Sequence, residues 1–261
     1  MYFETQDSHS PNQCKGNAHA QNAMVEAIAA AAPKKTVVVM SIPGAVLTPW
    51  SHKVSALLTN FMPGQAAGWA IADILFGKTN PSARLPITLP NVANETQMSD
   101  AQWPGLPVKD PVEAVYSEKL LVGYRYYDAH KLEFTTGFPF GHGLSYTTFD
   151  YSDVKASKTE VTFTVENSGA VAGAEVPQLY LGFPAASGEP PKQLKGFEKV
   201  KLAPGASATV TFPLDDRSLS IWDVVTHDWA VQKGTFSVMV GSSSRDIRLT
   251  SSFVVAAEAA L

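Results

Sequence analysis

Arg125 and His142 are side chains that could bind an anion or move a proton, and both lie inside one aromatic stretch of the chain. From Val115 to Tyr151 the sequence carries Tyr116, Tyr124, Tyr126, Tyr127, Phe134, Phe138, Phe140, Tyr146, Phe149 and Tyr151, interleaved with Gly137, Gly141 and Gly143. Arg125, set between Tyr124 and Tyr126, has two readings. It could hold a substrate, or its guanidinium could stack on rings and fork onto a carboxylate to fix an interface, which is the commoner use. His142 stands between two glycines without a spaced partner, which is poor support for a metal site or a proton relay. The stretch itself reads as a folded loop joining two regions, with aromatic faces as its packing surface and glycines at turns and close approaches.

Composition narrows the function classes. The chain has 261 residues, 45% of them hydrophobic, which suits two domains with ordinary cores. A formal charge of −4 with scattered lysines and arginines gives no basic stripe, so nucleic acid is not the expected partner. No apolar run reaches the ~20 residues of a membrane span, and the opening Met1-Tyr2-Phe3-Glu4 does not begin a signal peptide. Export of a longer, secreted or periplasmic parent would place its signal upstream. Cys14 is the only cysteine, too few for a disulfide framework or a cysteine metal site. No cofactor or metal is expected. Asn94-Glu95-Thr96 forms a glycosylation sequon, a triplet common by chance.

The elements divide the chain. Residues 1 to 16 read as a polar loop. Ala18 to Ala32 predicts a helix with Met24, Val25, Ile28 and Ala32 on one side and Pro33 as its stop. Thr36 to Met40 predicts a strand covered on both faces. Ser51 to Phe61 fits a short helix or a strand, and Gln65 to Phe76 fits a helix with Trp69, Ala72, Ile74, Leu75 and Phe76 as its apolar side and Gly68 allowing close packing. Prolines around Ile87 and Leu89 limit that segment to an edge strand, and residues 91 to 114 read as a surface excursion. Beyond Tyr151 the apolar period becomes two: Val161, Phe163 and Val165; Val176, Leu179 and Leu181; Ala208, Val210 and Phe212; Phe236, Val238 and Val240; then Ile247, Leu249 and Phe253 to Val255. About seven such strands predict an immunoglobulin-like sandwich. The expected organisation is an α/β three-layer sandwich domain over residues 1–114, a junction over 115–151, and an all-β fibronectin III-like sandwich over 152–261.

Particular motifs carry a family resemblance. Phe61-Met62-Pro63-Gly64-Gln65, Ala72-Asp73-Ile74-Leu75-Phe76-Gly77 and Asn80-Pro81-Ser82-Ala83-Arg84-Leu85-Pro86 resemble the second, α/β-sandwich domain of glycoside hydrolase family 3 β-glucosidases. Val122 to Asp128 and Phe138 to Tyr146 resemble that family's junction into its fibronectin type III-like domain. Gly173 to Tyr180, Leu194 to Phe197, and Trp222-Asp223 resemble the sandwich itself.

The resemblance implies a retaining β-glucosidase acting on terminal β-glucosyl residues of β-glucosides or cello-oligosaccharides. It also implies an N-terminal barrel that supplies the aspartate nucleophile and lies before this chain, so that the isolated chain would be inactive or weakly active. A face left without that barrel would dock onto it or self-associate. In many members the acid/base is a glutamate in a Ser-x-Glu-Gly-x-Asp-Arg pattern; here Phe3-Glu4-Thr5-Gln6-Asp7-Ser8 holds that place, with Thr5 and Ser8 where glycine and arginine are usual. Glu4 is thus the candidate acid/base. Packing against Tyr2 and Phe3 would raise its pKa, whereas a solvated glutamate would keep an ordinary one. Ser99-Asp100 with Trp103 looks like the family's Ser-Asp-Trp nucleophile motif with two residues inserted, and is read as a decoy. Two further readings are a non-catalytic carbohydrate-binding or scaffold module, and a minimal hydrolase using Glu4 with Asp7 or Glu118 with Asp128.

Overall fold

A computed structural model describes residues 2–4, 17–102 and 113–256. The chain forms two compact units that alternate along residues 77–139: Met1–Phe76, Ile87–Ser117 and Glu133–Pro139 make one, and Gly77–Pro86, Glu118–Leu132 and Phe140–Leu261 the other.

The first unit is α/β. β1 (Tyr2–Glu4), β2 (Val37–Ser41) and β3 (Ala56–Asn60) form a parallel sheet in the order β1-β2-β3, with α1 (Asn17–Ala31) between the first two strands. β1 is a correction: the polar surroundings predicted a loop, yet Tyr2 to Glu4 pair with Val39 to Ser41. α1 follows from its alanines, and Val25 and Ala29, four apart, are buried. Met24, expected on the buried side, is exposed. Val38, Val39 and Met40 of β2 are buried, as a β-branched run between covered faces requires. The stretch from Ser51 contains both alternatives in sequence, a single 3₁₀ turn at Ser51–Lys53 and then β3. Buried Trp50 ties this region to α1 by donating Nε1 to Asn22 Oδ1 at 2.8 Å.

α2 (Ala67–Leu75) forms where predicted and ends at Gly77, whose φ of +74° a residue with a Cβ would resist. Its surroundings differ from expectation. None of its residues is buried, Trp69 and Phe76 are 80% and 88% exposed, and a Cβ at Gly68 would meet nothing within 4 Å. The apolar side therefore faces outward.

Within the same unit Leu89 makes an isolated antiparallel bridge to Phe138, with both backbone bonds at 2.9 Å, in place of an edge strand. Buried Asn91 fastens the adjoining turn. Its Oδ1 accepts from the backbone N–H groups of Thr135, Thr136 and Gly137 at 2.7, 3.1 and 3.0 Å. Its Nδ2 donates to Glu95 Oε1 at 2.7 Å and Glu133 O at 2.9 Å. A Cβ on Gly137 would collide with the Leu89 carbonyl, so this approach needs glycine.

The second unit is a β-sandwich with one short helix, α3 (Tyr124–Ala129), where the sequence suggested only loop. Its strands are β4 (Phe149–Ala156), β5 (Glu160–Asn167), β6 (Gly173–Glu175), β7 (Gln178–Gly182), β8 (Gln193–Phe197), β9 (Val200–Leu202), β10 (Ser207–Pro213), β11 (Ser220–Asp223), β12 (Asp228–Val231), β13 (Gly234–Gly241) and β14 (Ile247–Val255). Seven of them build two main sheets, β10-β5-β4 and β14-β13-β7-β8, while β6-β9 and β11-β12 form separate two-stranded ribbons. Val161, Phe163 and Val165 alternate inward from β5 and meet Leu179, Leu181, Val210, Phe236, Val238 and Val240 in one core. Val176, read with the second strand, lies just outside it, between β6 and β7.

Candidate active site

Parallel α/β sheets bind ligands beyond the carboxyl ends of their strands, because helix amino termini and loops converge there. In the first unit that edge is one row of paired residues: Glu4 of β1 stands opposite Ser41 of β2, and Ser41 opposite Asn60 of β3. Ser41 is buried and donates its hydroxyl to Asn60 Oδ1. The backbone carbonyl of Asn60 accepts from Ile42 N at 3.0 Å, which locks the turn after β2 to the end of β3. The Nδ2 atom of Asn60 is buried without a hydrogen-bond partner. Sequence reasoning singled out Glu4 in this row and missed Ser41 and Asn60. A polar residue closing an apolar strand was the only signal they gave. Asp7, Cys14 and Trp103 lie outside the described residues.

The other candidates are dispersed. Asp100 is exposed in a turn whose preceding Ser99 donates N–H and Oγ to Gln102 Oε1 at 3.0 and 3.1 Å. Asn94 is exposed with φ +50°, its carboxamide closed on Met98 in both directions at 2.9 and 3.0 Å. Asp128, on α3, is engaged as a counter-ion by Lys192 Nζ at 2.7 Å and Arg245 Nε at 3.2 Å, its side chain only 6% exposed. Arg245 also donates Nη2 to Leu132 O at 2.6 Å. Beside them the Tyr124 hydroxyl accepts from Leu194 N at 2.9 Å, and its ring stacks on Phe140. These contacts hold α3 against the sandwich within the second unit. Arg125 is half-buried with its Nε unbonded, and the cations on Asp128 are Lys192 and Arg245. Among the described residues no group of three or more His, Cys, Asp or Glu side chains could hold a metal ion, and no helix is long and apolar enough to cross a membrane.

A buried polar cluster of the second unit surrounds Arg84. Its Nη2 donates to Glu175 Oε1 at 2.7 Å, with side-chain exposures of 8% and 4%. Asn80, four residues earlier, accepts from Ser145 Oγ and Tyr146 N at 2.9 and 2.8 Å and donates to Ala172 O at 3.1 Å. Leu85 exchanges backbone bonds with His142 and Gly141 at 2.9 and 2.8 Å. Gln178 donates to Gly141 O and Ser242 O at 3.1 and 2.7 Å.

Residues 4–146 match the model of the glycosyl hydrolase family 3 C-terminal domain, more than half of the chain, and residues 175–244 match that of the fibronectin type III-like domain. The chain belongs to glycoside hydrolase family 3. Among its family 3 relatives, thermostable beta-glucosidase B of Acetivibrio thermocellus is 44% identical over 89% of this chain and 31% of its own length. Probable beta-glucosidase D of Aspergillus niger is 37% identical over 90% and 33%. Solved structures agree: the beta-D-glucoside glucohydrolase of Trichoderma reesei superposes with TM-score 0.80 at 35% identity, covering 91% of this chain and 36% of the other. A beta-glucosidase from Streptomyces venezuelae in complex with D-glucose gives TM-score 0.83 at 37% identity, covering 90% and 30%. The chain spans about a third of the length of these relatives.

His142 of this family 3 chain has a structural consequence that can be measured. Burial pushes its pKa down, the nearby Arg84 cation pushes it further, and Asp246 opposes both. Its folded pKa therefore lies below the usual imidazole value of about 6.5. The unfolded chain takes up the proton first as pH falls, so the stability gained from neutral His142 is full above that value and lost on acidification through the folded pKa. Thermal unfolding should show a melting temperature that declines as pH is lowered from 7.5 to 5.5. His142→Gln should flatten that part of the profile, and an unchanged slope would contradict the assignment.

Proposed function

We propose that this chain is part of a β-glucosidase that removes terminal non-reducing β-D-glucosyl residues by a retaining mechanism, with Glu4 as the general acid/base. The supporting observation is the position of Glu4 in a family 3 chain, at the carboxyl end of a parallel strand and level with Ser41 and Asn60. A retaining hydrolase places two carboxyl groups ~5–5.5 Å apart. One attacks the anomeric carbon as the glycosidic bond breaks, while the other gives its proton to the departing oxygen; the second then takes a proton from water as water displaces the enzyme carboxylate. Glu4 takes the proton-transferring role. The nucleophile comes from the portion of the relatives that this chain does not match, and turnover by the chain alone is weak or absent.

A second reading, a carbohydrate-binding module, draws support from the β11-β12 ribbon. Trp222 and Trp229 are paired across it edge to face, 5.4 Å apart and 47% and 42% exposed; the Arg217 guanidinium covers one face of Trp229, which leaves Trp222 as the aromatic surface for a sugar ring. The recruited pair Glu118 and Asp128 is disfavoured, since Asp128 is held by two cations.

The outward side of α2 is the surface we assign to association. Trp69 and Phe76, seven residues apart on one helical side, are both largely exposed. In a longer polypeptide they would meet the family's barrel, and in the isolated chain a second copy. Sedimentation should show a dimer or larger species that Trp69→Asp shifts toward monomer; a monomer at all working concentrations would refute this.

Catalysis is tested by aryl alcohol release from an aryl β-glucoside by the purified chain, with Glu4→Gln and Asp100→Asn in parallel, and then with a separately made family 3 barrel added. Activity that appears or rises with the barrel and drops at least a hundredfold in Glu4→Gln is expected. Activity unaffected by Glu4→Gln would remove Glu4 from its role, and a collapse in Asp100→Asn would place the nucleophile in this chain. Sugar binding without turnover under either condition would favour the binding module.

A further inference from the structure

We infer that Ser41 and Asn60 form a binding pair for a sugar hydroxyl at the carboxyl edge of the β1-β2-β3 sheet. The inference rests on the proposed glucoside substrate, but its observations are independent of Glu4's chemistry. Asn60 Oδ1 is occupied by the Ser41 hydroxyl proton, while Asn60 Nδ2 is buried with no partner. A buried donor left unmade destabilises the fold, and native proteins keep few of them without a use.

The hydrogen-bonding inventory sets the ligand class. With the Ser41 proton committed to Asn60, the pair has donor capacity left on Asn60 Nδ2 and lone pairs left on Ser41 Oγ. An acceptor-only group such as a carboxylate satisfies only the first, and an ammonium only the second. A hydroxyl satisfies both, its oxygen accepting from Asn60 and its proton going to Ser41. Such a pair also discriminates against a deoxy analogue, which leaves both protein groups unpaired. The rest of Asn60 is held still, because its backbone carbonyl accepts from Ile42 N at 3.0 Å and β3 is paired with β2 along its whole length. The donor is therefore preorganised.

The test follows the side-chain amide signals of Asn60 by ¹H–¹⁵N NMR in the whole chain, assigned by their loss in Asn60→Leu, as methyl β-D-glucoside or sodium acetate is added. A saturable shift with the glucoside and none with acetate is expected, and Ser41→Ala should weaken the glucoside response about tenfold. No saturable shift, or an equal response to acetate, would overturn the inference and leave the pair a seat for water. The double variant Ser41→Ala/Asn60→Leu removes both polar partners and should melt no lower than the parent; a fall of many degrees would assign the pair to the fold and also overturn it. Should Asn60→Leu fail to fold, Asn60→Asp, which also lacks the side-chain amide, assigns the signals and the Ser41→Ala titration decides. A glucoside shift alongside turnover indifferent to Glu4→Gln would sink only the catalytic reading, while Glu4-dependent turnover without a shift would sink only this one.

Discussion

The buried ion pair between Arg84 and Glu175 is the constraint around which the second unit is arranged. Taking a guanidinium and a carboxylate out of water costs several kcal/mol per ion, on the order of what their attraction returns. The pair persists only where geometry and neighbouring bonds are right. On the carboxylate side they are, since Glu175 Oε1 also accepts from Val176 N at 3.0 Å, and the strap bearing Arg84 is fixed by Asn80 and Leu85 on either side, while Arg84 Nε and Nη1 are buried with no hydrogen-bond partner. Gly143 must lack a side chain, because a Cβ there would strike the Ala83 carbonyl and the Arg84 guanidinium. Burial and the adjacent Glu175 carboxylate push the Tyr151 phenol far up, so the ring stays neutral beside the pair.

This arrangement explains the distribution of the family's motifs. Asn80 to Pro86, Phe138 to Tyr146 and Gly173 to Tyr180 are distant in sequence, yet Asn80, Arg84, Gly141, His142, Ser145, Glu175 and Gln178 bond with one another or with close neighbours. Their residue types are dictated by buried polar geometry. The motifs that reveal the ancestry of the chain in its second unit are therefore architectural, and the chemistry is sought at the sheet edge of the first unit, where the motif around Glu4 is sparse.

Legibility in the sequence followed the physics of each element. The Val37–Ser41 strand and the alternating strands of the sandwich were readable because burial imposes a period on apolar residues. β1 was not, since three residues carry no period and their flanks are polar. α2 was recognised as a helix, but its pattern could not say that its apolar side is uncovered, because a pattern reports what a helix would bury and not what is present to bury it. α3 hid among aromatics whose packing outweighs their modest helix propensity. Asn91 opened a stretch read as a surface excursion, yet it is buried and fastens the turn through eight hydrogen bonds. Of the sheet-edge row, Glu4 was found through family resemblance, while Ser41 and Asn60 became visible only through register and an unmade hydrogen bond.

The most direct test of this account is a double-mutant cycle on the buried pair, read by denaturant unfolding. Arg84→Met and Glu175→Leu should each cost about 3–5 kcal/mol, because each strands one charge in the interior. The double variant should recover most of that loss and lie within about 1–2 kcal/mol of the parent, because two apolar side chains can pack where two ions were paired. Losses in the single variants that simply add in the double would contradict the account and show that the two residues stabilise the unit independently of each other.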